Sequence, residues 1–246
     1  MKFPFALLFA LVLTSAYGQE LRVFRNATPY KYEEYTILKK SKTRIREGQY
    51  LRLAPGRGDT IAIGQYKDNL RSGRWRYYEN KLPIAAGRYS EDNKIGEWTY
   101  YANGKPSLRY NHTDNAVVWQ APVTTDSDIP EGEDVTPTRL ERNAVCPGLH
   151  QLIVENISYP PQALRNGVSG AVMLSILVKT DGTATDFKIE KGVGGGCDNE
   201  LLRVVKLNTS KWIPGLLNGK PVSTRQYVTA EFTLTAGDMG IKTAVY

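Results

Sequence analysis

A 23-residue repeat in the first half of the chain constrains the fold more than any other feature. Residues 64–66 read Gly-Gln-Tyr and residues 87–89 read Gly-Arg-Tyr, while residues 73–78 read Gly-Arg-Trp-Arg-Tyr-Tyr and residues 96–101 read Gly-Glu-Trp-Thr-Tyr-Tyr. Residues 48–50 form a degenerate earlier copy, and residues 108–119 form a truncated later copy. Such a repeat predicts one supersecondary unit that is copied and stacked against its neighbours.

Each repeat unit has the pattern of a β-hairpin. Trp75 and Tyr77 are two positions apart and therefore share one face of a strand, and the second copy repeats this pattern. Asn103-Gly104 is a strong signal for a tight turn, and Asn80-Lys81 occupies the same place in the first copy. Residues 19–120 are therefore predicted to form an all-β antiparallel sheet of repeated hairpins, which resembles the MORN-type repeats of bacterial exported proteins.

The repeated aromatic side chains allow two interpretations. They form the core of the sheet, because short hairpins cannot bury an aromatic face alone, or they form an exposed surface for a protein, glycan or lipid partner. The side chains concerned are Tyr66, Trp75, Tyr77, Tyr89, Trp98 and Tyr100.

The N-terminus resembles a secretion signal. Lys2 supplies a positive charge, residues 3–13 form an apolar run, and Ala16-Tyr17-Gly18 provides a small-x-small cleavage site. An apolar run of about 11 residues is too short to cross a bilayer, which needs roughly 20. We therefore expect residues 1–18 to be a cleaved signal peptide and the mature protein to lie in the periplasm or outer envelope without a stable membrane anchor. The alternative is an uncleaved short anchor.

A change in composition at residues 121–139 separates the two halves of the chain. Pro122, Pro130 and Pro137 occur there among acidic residues, and few apolar residues remain. This composition is typical of an exposed, extended linker, which sets the boundary of a second domain at residues 140–246.

Length and charge restrict the function only loosely. The 246 residues are enough for two small domains, and the formal net charge is +7. This charge is compatible with an anionic envelope surface or an acidic partner, and equally with simple solubility. No basic cluster of helix-like spacing occurs, which argues against binding to nucleic acid.

Residues 140–246 mix helical and strand patterns. Three strands are predicted, with one face formed by Val172, Leu174, Ile176 and Val178, by Thr185, Phe187 and Ile189, and by Val228, Ala230, Phe232 and Leu234. Helices are predicted near Leu149, at Pro161 and after Asp198, which would be an N-cap. A three-stranded antiparallel sheet with helices on one face makes a small α+β domain.

The chain contains two cysteines, Cys146 and Cys197. In an oxidising compartment such a pair can form one disulfide, which would tie the start of the second domain to the start of a later helix. The alternative is that both are small buried residues.

No motif in the chain indicates catalysis or cofactor binding. His112 and His150 lie in different predicted domains, and neither has a cysteine or carboxylate at metal-ligand spacing. The glycine run at residues 192–196 lacks the Gly-Lys-Ser/Thr ending of a phosphate-binding loop, and no Gly-x-Ser-x-Gly elbow occurs. We therefore predict a protein that is not an enzyme, with no catalytic residue, no metal ion and no cofactor.

An ordered series of motifs from Tyr159 to Leu234 resembles the C-terminal domain of the TonB energy-transducer family. The series reads Tyr-Pro-Pro at 159–161, Gly-Val-Ser-Gly-Ala-Val at 167–172, Thr-Asp-Gly at 180–182, Cys-Asp-Asn-Glu-Leu-Leu-Arg-Val-Val at 197–205, Lys-Trp-Ile-Pro-Gly at 211–215 and Asn-Gly-Lys-Pro-Val at 218–222. It covers roughly the last third of the chain.

The resemblance implies partner binding through the backbone. In that family, a short extended segment of an outer-membrane receptor adds as a strand to the edge of the sheet. The matching element is residues 226–234, with Phe232 in the core. The resemblance implies partner-binding roles for Gln226, Tyr227, Val228, Thr229, Ala230 and Glu231, of which Tyr227, Thr229 and Glu231 face the partner. Trp212 begins the family's aromatic-x-Pro turn and either sets the start of this strand at the binding site or is simply a core aromatic.

Three hypotheses follow. The first is a non-enzymatic exported interaction protein that binds an extended peptide of an outer-membrane receptor or periplasmic protein, in relation to TonB-dependent transmembrane transport. The second is a true energy transducer with an uncleaved N-terminal anchor, although the chain lacks a clear anchor and the long Pro-rich spacer of a transducer. The third is an envelope structural or surface protein that acts through the aromatic repeats. A homodimer paired edge to edge would hide the binding edge.

Overall fold

The structure is a computed structural model that describes residues 20–28, 31–39, 43–54, 58–125, 127–131, 134–208, 212–235 and 238–245. The predicted signal peptide, and the anchor that is its alternative, lie outside the described residues. Within the described ranges, no helix is both long and apolar enough to span a bilayer.

The first half of the chain forms one nine-stranded antiparallel sheet in which each strand pairs with the next. Its strands are β1 (Leu21–Thr28), β2 (Lys31–Leu38), β3 (Arg46–Leu53), β4 (Thr60–Lys67), β5 (Leu70–Glu79), β6 (Leu82–Ser90), β7 (Asn93–Ala102), β8 (Lys105–Asn111) and β9 (Ala116–Gln120). The predicted antiparallel sheet of hairpins is confirmed, and a small α+β region follows it, also as predicted.

Two-residue turns set the register of this sheet. Asn80-Lys81 and Asn103-Gly104 have positive φ at both positions, as a type I′ turn requires. Asp68-Asn69 and Glu91-Asp92, which were not predicted as turns, have the same geometry at the opposite ends of the strands. Each 23-residue repeat therefore contains two tight turns of matching twist.

Two glycines make room for the repeated tryptophans. A Cβ atom at Gly64 would overlap the Trp75 indole, and a Cβ atom at Gly87 would overlap the Trp98 indole. Each indole therefore packs directly over the backbone of the preceding strand, and both tryptophans are buried.

The repeated aromatic side chains lie in the core of the N-terminal sheet. Tyr77, Tyr89 and Tyr100 are buried together with Trp75 and Trp98, and the ring centroids of neighbouring members lie 5.0–6.4 Å apart. Tyr66, the sixth member of the predicted set, is half-buried and packs edge-on against this core. The structure thus contradicts an exposed aromatic surface on these side chains and supports the core interpretation.

The second half of the chain builds a six-stranded sheet with helices on one face. Its helices are α1 (Leu149–Asn156), α2 (Pro161–Arg165) and α3 (Cys197–Lys206). Its strands are β10 (Ser127–Glu131), β11 (Asp134–Thr138), β12 (Gly170–Val178), β13 (Ala184–Lys191), β16 (Thr224–Thr235) and β17 (Asp238–Val245), and the short strands β14 (Gly215–Leu217) and β15 (Lys220–Val222) form a separate hairpin.

The C-terminal sheet has six strands where three were predicted. β12, β13 and β16 lie where the sequence placed them, and the apolar face of β12 is fully buried. β10 and β11 form a hairpin inside residues 121–139, which were predicted to be an extended linker, and β17 follows β16. The sequence did not predict this hairpin, because Pro130 and Pro137 argue against strands. Proline is tolerated in peripheral strands, although not in central ones.

The start of α3 differs from the prediction. Asp198 is not the N-cap, because the helix begins at Cys197 and Gly196 occupies the cap position with φ of 90°. The Asp198 carboxylate instead accepts hydrogen bonds from the backbone N–H groups of Val193 (2.9 Å) and Gly194 (3.1 Å). It thereby ties the glycine-rich segment to the helix.

The two halves of the chain pack against each other through α1. Gln151 donates a hydrogen bond to the Tyr89 hydroxyl (3.1 Å), and Arg52 donates one to the backbone carbonyl of Glu155 (2.9 Å). Val154 packs against the aromatic core of the N-terminal sheet. The helix thus belongs to the C-terminal domain and covers part of the aromatic face of the repeats.

The contact between glycine and indole predicts whether a substitution raises or lowers the free energy of unfolding. Gly87 is outside the left-handed region, so Gly87→Ala fits the backbone but not the space beneath Trp98. We expect it to lower the free energy of unfolding by about 1–3 kcal/mol, the usual cost of overpacking. Ser90→Ala on the same strand is exposed and should change it by less than about 0.5 kcal/mol. Denaturant unfolding of both variants measures this, and an unchanged or stabilised Gly87→Ala protein would contradict the packing.

Candidate functional site

The predicted docking strand, β16, lies inside the C-terminal sheet. It pairs with β12 over residues 224–232 and with β17 over residues 228–235. On the β17 side, Arg225 also pairs with Asp128 of β10. The expectation of an open edge at residues 226–234 is therefore wrong, because β17 and β10 already occupy that edge. The roles of these residues in partner binding stay a prediction.

A short sequence signal could have revealed β17. Gly237 stands between two runs rich in β-formers, and a short glycine-containing break of this kind is a hairpin signal in a sequence. The series of motifs that resembles the family ends at Leu234 and does not include these residues.

Side chains on β16 alternate as predicted. Val228, Ala230 and Phe232 are fully buried, so the predicted core position of Phe232 is confirmed. Arg225, Tyr227 and Thr229 are half-buried on the opposite face. Glu231 is exposed on the same face. Gln226 is buried at the start of the core face and donates a hydrogen bond to the Thr224 hydroxyl (3.1 Å).

Trp212 packs in the core of the C-terminal domain and is 4% exposed. Its backbone N–H donates a hydrogen bond to the Gly182 carbonyl (3.0 Å), which ties the turn before β14 to the turn between β12 and β13. This supports the core interpretation of Trp212. Lys211, which precedes it in the motif, lies outside the described residues.

The outer edge of β13 carries features that protect sheet edges. Asp186 has a φ of 46°, and the pairing of β12 with β13 shifts register nearby. Lys188, Glu190 and Lys191 are exposed along this strand. Irregularity and charge both discourage addition of another strand, so β13 is a poor docking edge.

The outer edge of β17 instead faces the N-terminal sheet. The Thr243 backbone N–H and hydroxyl both donate hydrogen bonds to Glu79 Oε1, at 2.7 and 2.8 Å. Glu79 Oε2 lies 3.3 Å from Nε2 of His150 in α1. The Glu79 side chain is only 11% exposed. Through these contacts its carboxylate joins β5, β17 and α1.

A cleft of about 890 Å³ lies between the two domains beside β17. Residues 240–245 form one wall, and residues 101–104 and 120–125 form the opposite wall. Three of the predicted site residues, Trp212, Gln226 and Glu231, also border this cleft. The tertiary structure thus brings part of the predicted site to a cavity that the sequence did not indicate.

A buried polar cluster lies at the same domain boundary. Burial lowers the pKa of Lys94 to about 8, and its Nζ lies 3.1 Å from the Tyr100 hydroxyl. Burial, with Lys94 nearby, lowers the pKa of His112 to about 4. The Tyr100 hydroxyl and His112 Nε2 lie 2.6 Å apart. In the described part of the chain, no group of three or more His, Cys, Asp or Glu residues is arranged to hold a metal ion.

Cys146 and Cys197 are free thiols, so the predicted disulfide is wrong and the alternative of two small buried residues holds. Cys146 Sγ accepts a hydrogen bond from the Asn208 side chain (3.1 Å), and burial raises its pKa to about 12. Burial also raises the pKa of Cys197. Neither thiol is poised for reaction.

Comparison with protein families supports the resemblance to the TonB C-terminal domain. Residues 155–234 match the family described as Gram-negative bacterial TonB protein C-terminal. Domains of this family are non-enzymatic interaction domains that contact outer-membrane receptors and other proteins in the bacterial envelope. The match spans α2 through nearly all of β16 and ends before β17. The chain has no match among curated proteins and none among solved structures.

The buried thiols predict slow modification. We expect a thiol reagent at pH 8 to leave the native protein unmodified and to label two cysteines once the chain is denatured, because burial excludes the reagent and disfavours the thiolate. Mass spectrometry after non-reducing denaturation measures this. A denatured protein that reacts only after reduction would mean that the disulfide exists.

His112 predicts part of the pH dependence of stability. Its pKa of about 4 lies below the unfolded value of 6.5, so the unfolded chain binds more protons between these two values. We expect the free energy of unfolding to fall as the pH drops from 6.5 towards 4. His112→Gln should remove this contribution to the slope of the free energy of unfolding against pH and leave the other contributions unchanged. Urea unfolding of both proteins across this range is the measurement, and identical slopes would refute the assignment.

Proposed function

We propose that this chain is a non-enzymatic exported interaction protein whose C-terminal domain binds an extended peptide of an outer-membrane receptor or periplasmic protein by strand addition. The match of residues 155–234 to the TonB C-terminal family is the observation that carries the proposal. A relation to TonB-dependent transport follows from the same match.

The physical basis of the proposal is backbone pairing. A strand that joins a sheet exchanges main-chain hydrogen bonds with the edge, and its alternate side chains enter neighbouring pockets. Affinity then depends mostly on an available edge, and specificity depends on the pockets beside it. Tyr227 and Thr229 line a docking edge only if β17 leaves β16, whereas Trp212, Gln226 and Glu231 border the cleft with β17 in place.

Force transmission, the second hypothesis, needs a tether at the other end of the molecule. That hypothesis concerns residues 1–18, which lie outside the described residues. N-terminal sequencing of the mature protein separates it from the first: a start near Gln19 supports an exported binding protein, and retention of the first residues supports a transducer.

Peptide titration tests the binding function. We expect peptides from the plug-entry segments of TonB-dependent receptors to bind the full-length protein with a Kd below about 1 mM by isothermal titration calorimetry. Absence of binding at that concentration across a panel of such peptides would overturn the proposal.

Backbone methylation provides the matched control. In an added strand, the N–H groups of alternate residues point towards the edge. N-methylation of one alternate set of peptide residues should abolish binding, while methylation of the other set should leave it nearly intact. Equal effects of the two sets would argue for side-chain recognition instead.

A further inference from the structure

The outer edge of β17 runs along the boundary between the two domains. Thr243 directs its backbone N–H away from β16 and towards Glu79. Because the main-chain groups of a strand alternate between its two edges, Ile241 and Val245 also direct their N–H and C=O groups outward. No strand pairs with this edge in the part of the chain that the structure describes.

Glu79 takes the place of a missing strand at this edge. Its carboxylate accepts the Thr243 N–H as the carbonyl of a neighbouring strand would, and it also accepts the Thr243 hydroxyl. Glu79 is the last residue of β5 and directly precedes the tight turn at Asn80-Lys81, so the repeat sheet holds it in position.

Two cavities meet at this carboxylate. The cleft of about 890 Å³ follows residues 240–245, and a second cavity of about 140 Å³ is bordered by Arg52, Tyr159 and Ile241. Glu79 borders both. Both cavities also reach Gly240 and Ile241 of β17, so Glu79 lies where the two cavities meet beside this strand.

We propose that the strand-accepting edge of this protein is the outer edge of β17, that its occupant is an extended segment of a partner protein, and that Glu79 keeps the edge closed until that segment displaces it. The proposal rests on the proposed function and adds the edge and its regulation. The stretch from Ile241 to Val245 spans about 13 Å at roughly 3.3 Å per residue, enough for a strand of about five residues. A carbonyl of the entering strand replaces the Glu79 carboxylate as acceptor for Thr243.

The edge also defines the chemistry of the entering segment. The Thr243 N–H and hydroxyl are both donors, so the segment that fits presents a main-chain carbonyl to them.

Removal of the carboxylate tests the closed edge. In the full-length protein, we expect Glu79→Ala to bind a receptor plug-entry peptide about tenfold more tightly than the unsubstituted protein, because the peptide no longer competes with a charged acceptor. Glu79→Gln keeps the shape of the side chain and one acceptor oxygen. The peptide affinity of this variant should therefore lie between those of Glu79→Ala and the unsubstituted protein. Glu97→Ala removes an exposed carboxylate of the same sheet and should leave the affinity unchanged.

Several outcomes of this titration would overturn the proposal. Equal affinity of the Glu79→Ala, Glu79→Gln and unsubstituted proteins would show that Glu79 does not close the edge; the milder Gln variant keeps the test valid if Glu79→Ala unfolds. A Glu79→Ala protein that dimerises in analytical ultracentrifugation and binds no peptide would make a second copy the occupant.

An engineered disulfide between β16 and β17 tests which of these two strands is the docking edge. Thr233 and Gly240 are directly opposite each other, and an opposed antiparallel pair lies within reach of a disulfide. With Thr233→Cys and Gly240→Cys oxidised, β17 cannot leave β16. We expect peptide affinity to persist in the oxidised form, and chemical reduction to leave it unchanged.

The engineered disulfide also separates this inference from the proposed function. If oxidation abolishes binding and reduction restores it, the docking edge is β16 and the assignment to β17 fails, while peptide binding itself stands. If no variant binds any peptide in either redox state, the proposed function fails and this inference fails with it.

Discussion

The main-chain donors and acceptors of outer strands are the constraint on which this structure depends. A strand at the end of a sheet presents a row of unpaired backbone groups, which either find a partner or invite one. In the C-terminal domain, β17 covers β16, and irregularity and charge protect β13. The outer edge of β17 is met by a single carboxylate, that of Glu79 from the other domain.

The regular geometry of the repeat sheet sets the position of that carboxylate. Tight turns at both ends of the repeat set the register, and buried tryptophans pack directly over glycine backbone. Glu79 sits at the end of a strand in this sheet, beside one of those turns. A flexible loop could not hold a carboxylate against one amide of a distant strand, since the entropy of ordering it would oppose the contact.

The helix α1 connects the two halves of the molecule. Its buried side chains Leu149 and Ile153 belong to the C-terminal core, while Gln151 and Val154 contact the aromatic face of the repeats. Part of the aromatic face is consequently covered by this helix, which packs the two sheets against each other. In the binding mode proposed here, the repeat sheet contributes Glu79 to the docking edge.

The sequence by itself determined the local structure of this protein. The 23-residue period, the Asn80-Lys81 and Asn103-Gly104 turns and the alternation along β12 and β16 all follow from neighbouring residues, so they could be predicted. Only the tertiary structure decided which strand lies at the edge of the sheet, because that depends on how β17 folds back onto β16. It also showed that Cys146 and Cys197 are free, buried thiols, which their spacing in the sequence cannot reveal. Glu79 and Thr243 are far apart in the chain, and no local pattern states that a carboxylate and an amide will meet.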